Sequence, residues 1–192
     1  MRLFVGLDLD IAIRERLEMF VQRLKQQAPG IRFVSPDTYH LTLKFLGETN
    51  KVDEIRSALR KIEIPQFEVK VCDTGFFPNE RAPRVFWAGI EAGEELRELA
   101  TAVSWVLADL GFEAEASFKP HLTLARSGSG SPKPKAGDAA NPKLKRLREL
   151  TASEPTIQFG TMTAREFFLY ESRLSPQGAK YFKVDRYNLI AR

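Results

Sequence analysis

Apolar residues recur in this chain with two rhythms, about 3.6 residues for helices and two for strands, and the switches between them divide the sequence into elements. Arg2 to Leu9 is a β-favouring apolar run and predicts a strand, and the spacing from Asp10 to Gln27 predicts a helix ended by Pro29 and Gly30. Ile31 to Val34 is expected as a short strand, Ser35-Pro36-Asp37 as a turn, and His40 to Leu46 as a strand ended by Gly47. A helix from Val52 to Lys61 follows. Phe67 to Phe77 and Arg84 to Ile90 predict a long hairpin through Pro78, Asn79 and Pro83. The next helix runs from Glu94 to Leu110 and stops at Gly111, and Pro120 introduces a strand that begins at His121. Ser127 to Pro142 is rich in Gly, Ser, Pro and Lys and reads as a mobile surface loop, from which Asn141-Pro142 opens a helix through Leu150. Ile157 to Glu171 and Lys180 to Leu189 are expected to pair as a closing hairpin across Ser175-Pro176-Gln177-Gly178.

The order strand, helix, hairpin occurs twice. His40-Leu41-Thr42-Leu43 returns unchanged as His121-Leu122-Thr123-Leu124, and an aromatic pair follows each copy, Phe76-Phe77 and then Phe167-Phe168. With 192 residues, 43% hydrophobic and 28% charged, the chain suits one globular unit spanning 1–192. A net charge of +4 favours an anionic partner. Cys72 is the single cysteine, which excludes an intrachain disulfide. No segment approaches membrane length, and the apolar start is too short for a signal peptide, so the cytoplasm is the expected location.

Both histidines of the chain head the same tetrapeptide. In a strand, His40 and Thr42 point one way while Leu41 and Leu43 point into the core, and His121 and Thr123 do the same. Pseudo-twofold packing of the halves would bring the two imidazole and hydroxyl pairs together. Opening a cyclic phosphodiester needs an attacking water and a departing ribose oxygen in line across phosphorus. An imidazole titrates near ~6.5, so one can accept the water proton while another, protonated, donates to the leaving oxygen. The hydroxyls can donate to non-bridging oxygens. This scheme needs no metal, and two histidines far apart in sequence without a cysteine cluster do not meet zinc or two-metal spacing.

Paired H-x-T-x motifs of this kind resemble the 2H phosphoesterases, specifically the RNA 2′,3′-cyclic phosphodiesterase branch also called 2′-5′ RNA ligase-like. The resemblance takes in Leu3-Phe4-Val5-Gly6-Leu7, both motifs, Arg84 to Gly89 and Phe168-Leu169-Tyr170-Glu171-Ser172. It implies a bilobal α+β fold in which each lobe is an antiparallel sheet with helices on its outer face. The halves are related by a pseudo-twofold axis and enclose a cleft. It further implies RNA with 2′,3′-cyclic phosphate ends or cyclic nucleotides as substrate, hydrolysis to a 2′-phosphate, no metal cofactor, and reversible 2′-5′ ligation; a monomer is expected. Carried onto this chain, His40 is the proton donor and His121 the proton acceptor, with Thr42, Thr123 and Arg126 binding phosphate oxygens. Strict alternation puts Arg126 on the face opposite His121, so its role requires the strand to end or bulge there.

Other residues admit competing readings. Lys44 is expected on the face of His40 and Thr42, as a solvated strand-end cation first and an RNA contact second. Phe45, the counterpart of Arg126, is expected in the core first and as a base-stacking platform second. Arg81, Arg84 and the group Lys133, Lys135, Lys143, Lys145, Arg146 and Arg148 form charged surface, with RNA-backbone contact the minority reading for the last group. Two further functional classes compete with the cyclic phosphodiesterase: a phosphoesterase for small cyclic nucleotides, and a non-catalytic RNA-end binding module.

Overall fold

The structure is a computed structural model and describes residues 1–113, 117–127, 142–152, 154, 156–176 and 178–191. Strand β1 (Arg2–Leu7) and helix α1 (Ile11–Gln27) form where the pattern predicts them. The backbone amides of Ile13 and Arg14 close the first turn of α1 on the Asp10 carbonyl at 3.1 Å. β2 (Leu41–Glu48), α2 (Val52–Leu59), β3 (Phe67–Phe77), β4 (Val85–Ala92), α3 (Glu94–Ala108), β5 (His121–Arg126) and α4 (Pro142–Ala152) follow. The chain ends with β6 (Gln158–Ala164), β7 (Glu166–Ser175) and β8 (Gly178–Asn188). Gly111 after α3 has φ 89°, the left-handed conformation that lets the chain leave a helix.

Two expectations are corrected, at 31–34 and 157–171. Residues 31–34 form no strand of their own: Val34 N donates to Leu124 O at 2.9 Å and Arg126 N to Arg32 O at 3.3 Å, so the segment lies along the outer edge of β5. The expected turn at 35–37 is present, as a single 3-10 turn, Pro36–Thr38. The apolar run from Ile157 to Glu171 is two strands, broken at Arg165, that belong to different sheets. Residues 128–141 of the expected loop, with Lys133, Lys135 and the Asn141 cap, lie outside the described residues.

Two four-stranded antiparallel sheets result, in the orders β2-β1-β7-β8 and β5-β4-β3-β6. Position by position the sheets match, each having a motif strand at its edge and the strand that precedes the motif beside it. The chain does not complete one sheet before starting the other, because β3 pairs with β4 and β6 while β7 returns to β1. Helices cross over as well: α1 packs on β6, and α3 packs on β2 and α2. Leu17, Val21 and Leu24 of α1 and Leu99, Val103 and Leu107 of α3 therefore join one continuous core that runs under both sheets. Among the described residues no helix is long and apolar enough to cross a membrane.

Candidate active site

His40 stands immediately before β2, and His121 opens β5. Leu41, Leu43, Leu122 and Leu124 are buried in the core, while His40, Thr42, His121 and Thr123 remain half-buried on the opposite face, as alternation requires. Both strands then break the rule at the same place. In β2, Thr42 pairs with Gly6 and Lys44 with Val5, which leaves Leu43 as the extra residue of a bulge. In β5, Thr123 pairs with Trp87 and Ala125 with Phe86, which leaves Leu124 as its counterpart. An extra residue reverses the face of every side chain beyond it.

That reversal decides three residues. Arg126 joins the face of His121 and Thr123, and its Nη2 donates to Thr123 Oγ1 at 3.3 Å. Phe45, at the matching register position, is 60% exposed on the His40 side rather than in the core. Lys44 turns inward to 1% exposure, and its Nζ donates to the Glu113 carbonyl at 2.6 Å. It is neither a solvated cation nor an RNA contact, and the correction has the same cause as the placement of Arg126.

The two imidazoles are held alike. His40 Nδ1 donates to Thr38 O at 2.6 Å and His121 Nδ1 to Lys119 O at 2.8 Å, each a carbonyl two residues back. A carbonyl can only accept, so Nδ1 carries the hydrogen and Nε2 is left for chemistry. His40 Nε2 accepts from the Thr42 hydroxyl at 2.8 Å, so that hydroxyl is engaged with the imidazole. An aromatic ring meets each imidazole edge-on, Tyr181 at His40 and Phe77 at His121, both with centroids 4.9 Å apart at 84°. Phe4 lies 4.6 Å from His40 as well. Gly6 makes room here, since a Cβ on it would come within 2.8 Å of the Leu41 carbonyl and 3.6 Å of His40 Cδ2.

Register also corrects the match between aromatic pairs. Phe4 sits between Phe45 and Tyr170, and Val85 between Arg126 and Phe77, so Phe76-Phe77 correspond to Leu169-Tyr170 and not to Phe167-Phe168. Phe77 was visible in sequence as half of an aromatic pair. Tyr181 carried no local signal, because its place at His40 depends on the return of β8 along β7.

Burial pulls the His40 pKa down to about 4, with Arg126 and His121 adding to the effect, while the Thr38 carbonyl and Asp8 oppose it. Burial lowers His121 too, helped by Arg126 and opposed by the Lys119 carbonyl. Arg126 and His121 of one sheet thus bear on His40 of the other, in keeping with the contact between β2 and β5. Asp8 is itself held by Arg14 and Lys183, each at 2.6 Å. Among the described residues, the one grouping of three ligand-type atoms close enough for an ion is Cys72, Asp73 and Glu91. Neither histidine belongs to it, and Lys70 pairs with Glu91 at 2.8 Å.

Residues 7–87 and 90–181 match the family model described as LigT like phosphoesterase. The chain belongs to this family. This LigT-like phosphoesterase is 36% identical over 183 residues to the RNA 2′,3′-cyclic phosphodiesterase of Archaeoglobus fulgidus, covering 94% of this chain and 96% of the relative. It is 30% identical over 194 residues to the protein of the same name from Methanothermobacter thermautotrophicus, with 98% of each covered. Among solved structures, a Thermus thermophilus protein superposes with a TM-score of 0.77 at 28% identity, over 98% of both chains. E. coli LigT complexed with 3′-AMP superposes with a TM-score of 0.75 at 27% identity, over 98% of this chain and 97% of that one. The two-sheet α+β architecture is that of these phosphoesterases.

Proposed function

We propose that this LigT-like phosphoesterase opens 2′,3′-cyclic phosphate ends of RNA to 2′-phosphates, with His40 as proton donor and His121 as proton acceptor. One observation carries the reading: the motif strands β2 and β5 lie in contact, each with an imidazole pinned through Nδ1 and a threonine two residues on, and Arg126 stands at Thr123. Water attacks phosphorus and gives its proton to His121 Nε2. The bond from phosphorus to O3′ breaks on the far side, and O3′ takes the proton from His40 Nε2. Thr42, Thr123 and Arg126 donate to the non-bridging oxygens, where charge accumulates. Once His40 is protonated, its Nε2 no longer accepts, and the Thr42 hydroxyl is released to the phosphate.

A pseudo-symmetric pair leaves the direction of reaction open, and the unlike residues at the matching position choose it. Arg126 attracts the anionic phosphate to the His121 side, whereas the exposed ring of Phe45, backed by the buried Phe4, offers the His40 side an apolar surface for the nucleoside. The ribose then lies beside His40, so the departing ribose oxygen faces His40 and the water faces His121. Burial disfavours imidazolium at His40 in the free protein, and the negative charge of the bound phosphate restores it. Acid, base and charge stabilisation all come from side chains, so the reading is metal-independent.

With a 5′-hydroxyl in place of water, the same arrangement supports 2′-5′ ligation with the histidine roles unchanged, and the reverse cleavage of that bond exchanges them. We read the protein as one 1–192 domain acting as a monomer on cytoplasmic RNA. The LigT complex with 3′-AMP favours cyclic mononucleotides as a second substrate class. The deciding experiment is product analysis of a short RNA ending in a 2′,3′-cyclic phosphate, in excess chelator, with wild type and with His40→Ala and His121→Ala. A 2′-phosphate product in wild type alone is expected. Turnover that needs added zinc or magnesium, or that survives in either folded variant, would overturn the reading.

A further inference from the structure

Beyond the aromatic residues beside His40, the first sheet carries a polar row. Phe4 on β1 pairs with Tyr170 on β7, and Tyr170 pairs with Lys183 on β8. Two residues further along the same strands stand Arg2, Ser172 and Tyr181, of which Ser172 and Tyr181 are direct partners. Side chains two apart on a strand share a face, so this row faces the histidines as Phe4 does. Leu3, between Arg2 and Phe4, belongs to the main core, whereas Phe4 and Tyr170 belong to a separate cluster with Tyr181 packed against it, which fixes the phase.

Tyr181 ties the row to the catalytic site, since its ring meets both Phe4 and His40 at 4.9 Å. Its phenol is pushed up by burial and drawn back by two guanidiniums, Arg126 from the other sheet and Arg2 from its own. Among the described residues, no ion pair uses Arg2 and no hydrogen bond uses the Tyr181 hydroxyl. Arg2 lies about 7 Å along β1 from Phe4, the distance of two strand residues. A ribose over the exposed Phe45 with its 3′ side at His40 directs its 5′ side toward this row.

We propose that Arg2, Ser172 and Tyr181 form a subsite for the phosphate on the 5′ side of the terminal ribose, making the end of an RNA chain a better substrate than a cyclic nucleotide lacking that phosphate. The proposal rests on the hydrolase reading above. A guanidinium binds phosphate through paired hydrogen bonds, and the two hydroxyls donate to the remaining oxygens.

The test compares kcat/KM on a nucleoside 2′,3′-cyclic phosphate, the same compound with a 5′-phosphate, and a dinucleotide ending in the cyclic phosphate. Wild type is expected to prefer the two phosphorylated forms by about tenfold. Arg2→Gln should bring the ratio near one and lower the salt slope on RNA by about one, Arg2→Lys should keep part of it, and Tyr181→Phe should reduce it. Equal wild-type rates on all three substrates, or an unchanged ratio in Arg2→Gln, would overturn the subsite and leave the hydrolase reading standing. Were none of the three opened, the hydrolase reading would fail. Calorimetry of a nucleoside and its 5′-monophosphate on wild type and Arg2→Gln would then decide the subsite, with equal affinities counting against it.

Discussion

His40 combines a fixed tautomer with an environment that resists its positive charge, and both have measurable consequences. Replacing His40 or His121 by Gln is expected to lower kcat by ~10² to 10⁴-fold while leaving the fold intact, which circular dichroism and steady-state rates would check together. Because burial lowers both imidazoles, the bell-shaped kcat/KM profile of the free enzyme should be centred below the reference ~6.5. The kcat profile should lie to higher pH, because bound phosphate favours the imidazolium. Each limb belongs to the coupled pair, and each single variant should retain one sigmoid. A kcat profile flat from about pH 5 to 9, with chemistry rate-limiting, would refute the acid-base scheme. Stability follows the same shift: the unfolded chain takes up the His40 proton near ~6.5, the folded chain only near about 4. Stability is therefore complete above about pH 6.5 and falls as pH drops toward 4, by up to roughly 3 kcal/mol from this residue. Urea melts of His40→Gln at pH 7.5 and 4.5 should show that much less difference than wild type.

At the scale of the strand, one extra residue in each motif converts a structural pattern into a site. The bulges at Leu43 and Leu124 bring Phe45 and Arg126 to the face of the histidines and send Lys44 inward. Arg126→Ala should cost ~10²-fold in kcat, and Arg126→Lys should recover part of it, because a point charge replaces the planar fork. Lys44→Met should leave the salt dependence of RNA turnover unchanged, since the ammonium is spent on the Glu113 carbonyl and never meets solvent. A reduced salt slope in that variant would mean that Lys44 reaches RNA. Strand phase up to Thr42 and Thr123 was legible from the alternating leucines, and the need for a bulge at Arg126 could be stated from sequence. Applying the same bulge to the first motif was equally open, and strict alternation there misplaced both Lys44 and Phe45. A bulge is a property of a strand pair, and the register of the partner strand does not appear in either strand's own sequence.

In the whole molecule, the interleaving of strands and helices should make the two lobes unfold together. α1 leaves β1 of one sheet and packs on β6 of the other, and a single core underlies both. Fluorescence of Trp87 in β4 and Trp105 in α3 and far-UV dichroism should report coincident denaturant transitions, whereas separated midpoints would indicate independent lobes. The amino-acid sequence by itself determined the local elements and the duplicated H-x-T-x motif with its two imidazoles, because periodicity and residue chemistry act over a few neighbouring positions. Tertiary structure decided which sheet receives β3, β6 and β7, which rings meet the imidazoles, and how far burial shifts them. Those outcomes depend on contacts between residues distant in the chain, such as Tyr181 with His40 or Leu43 opposite the β1 register, where packing of the whole core selects one arrangement among several that satisfy the same local pattern.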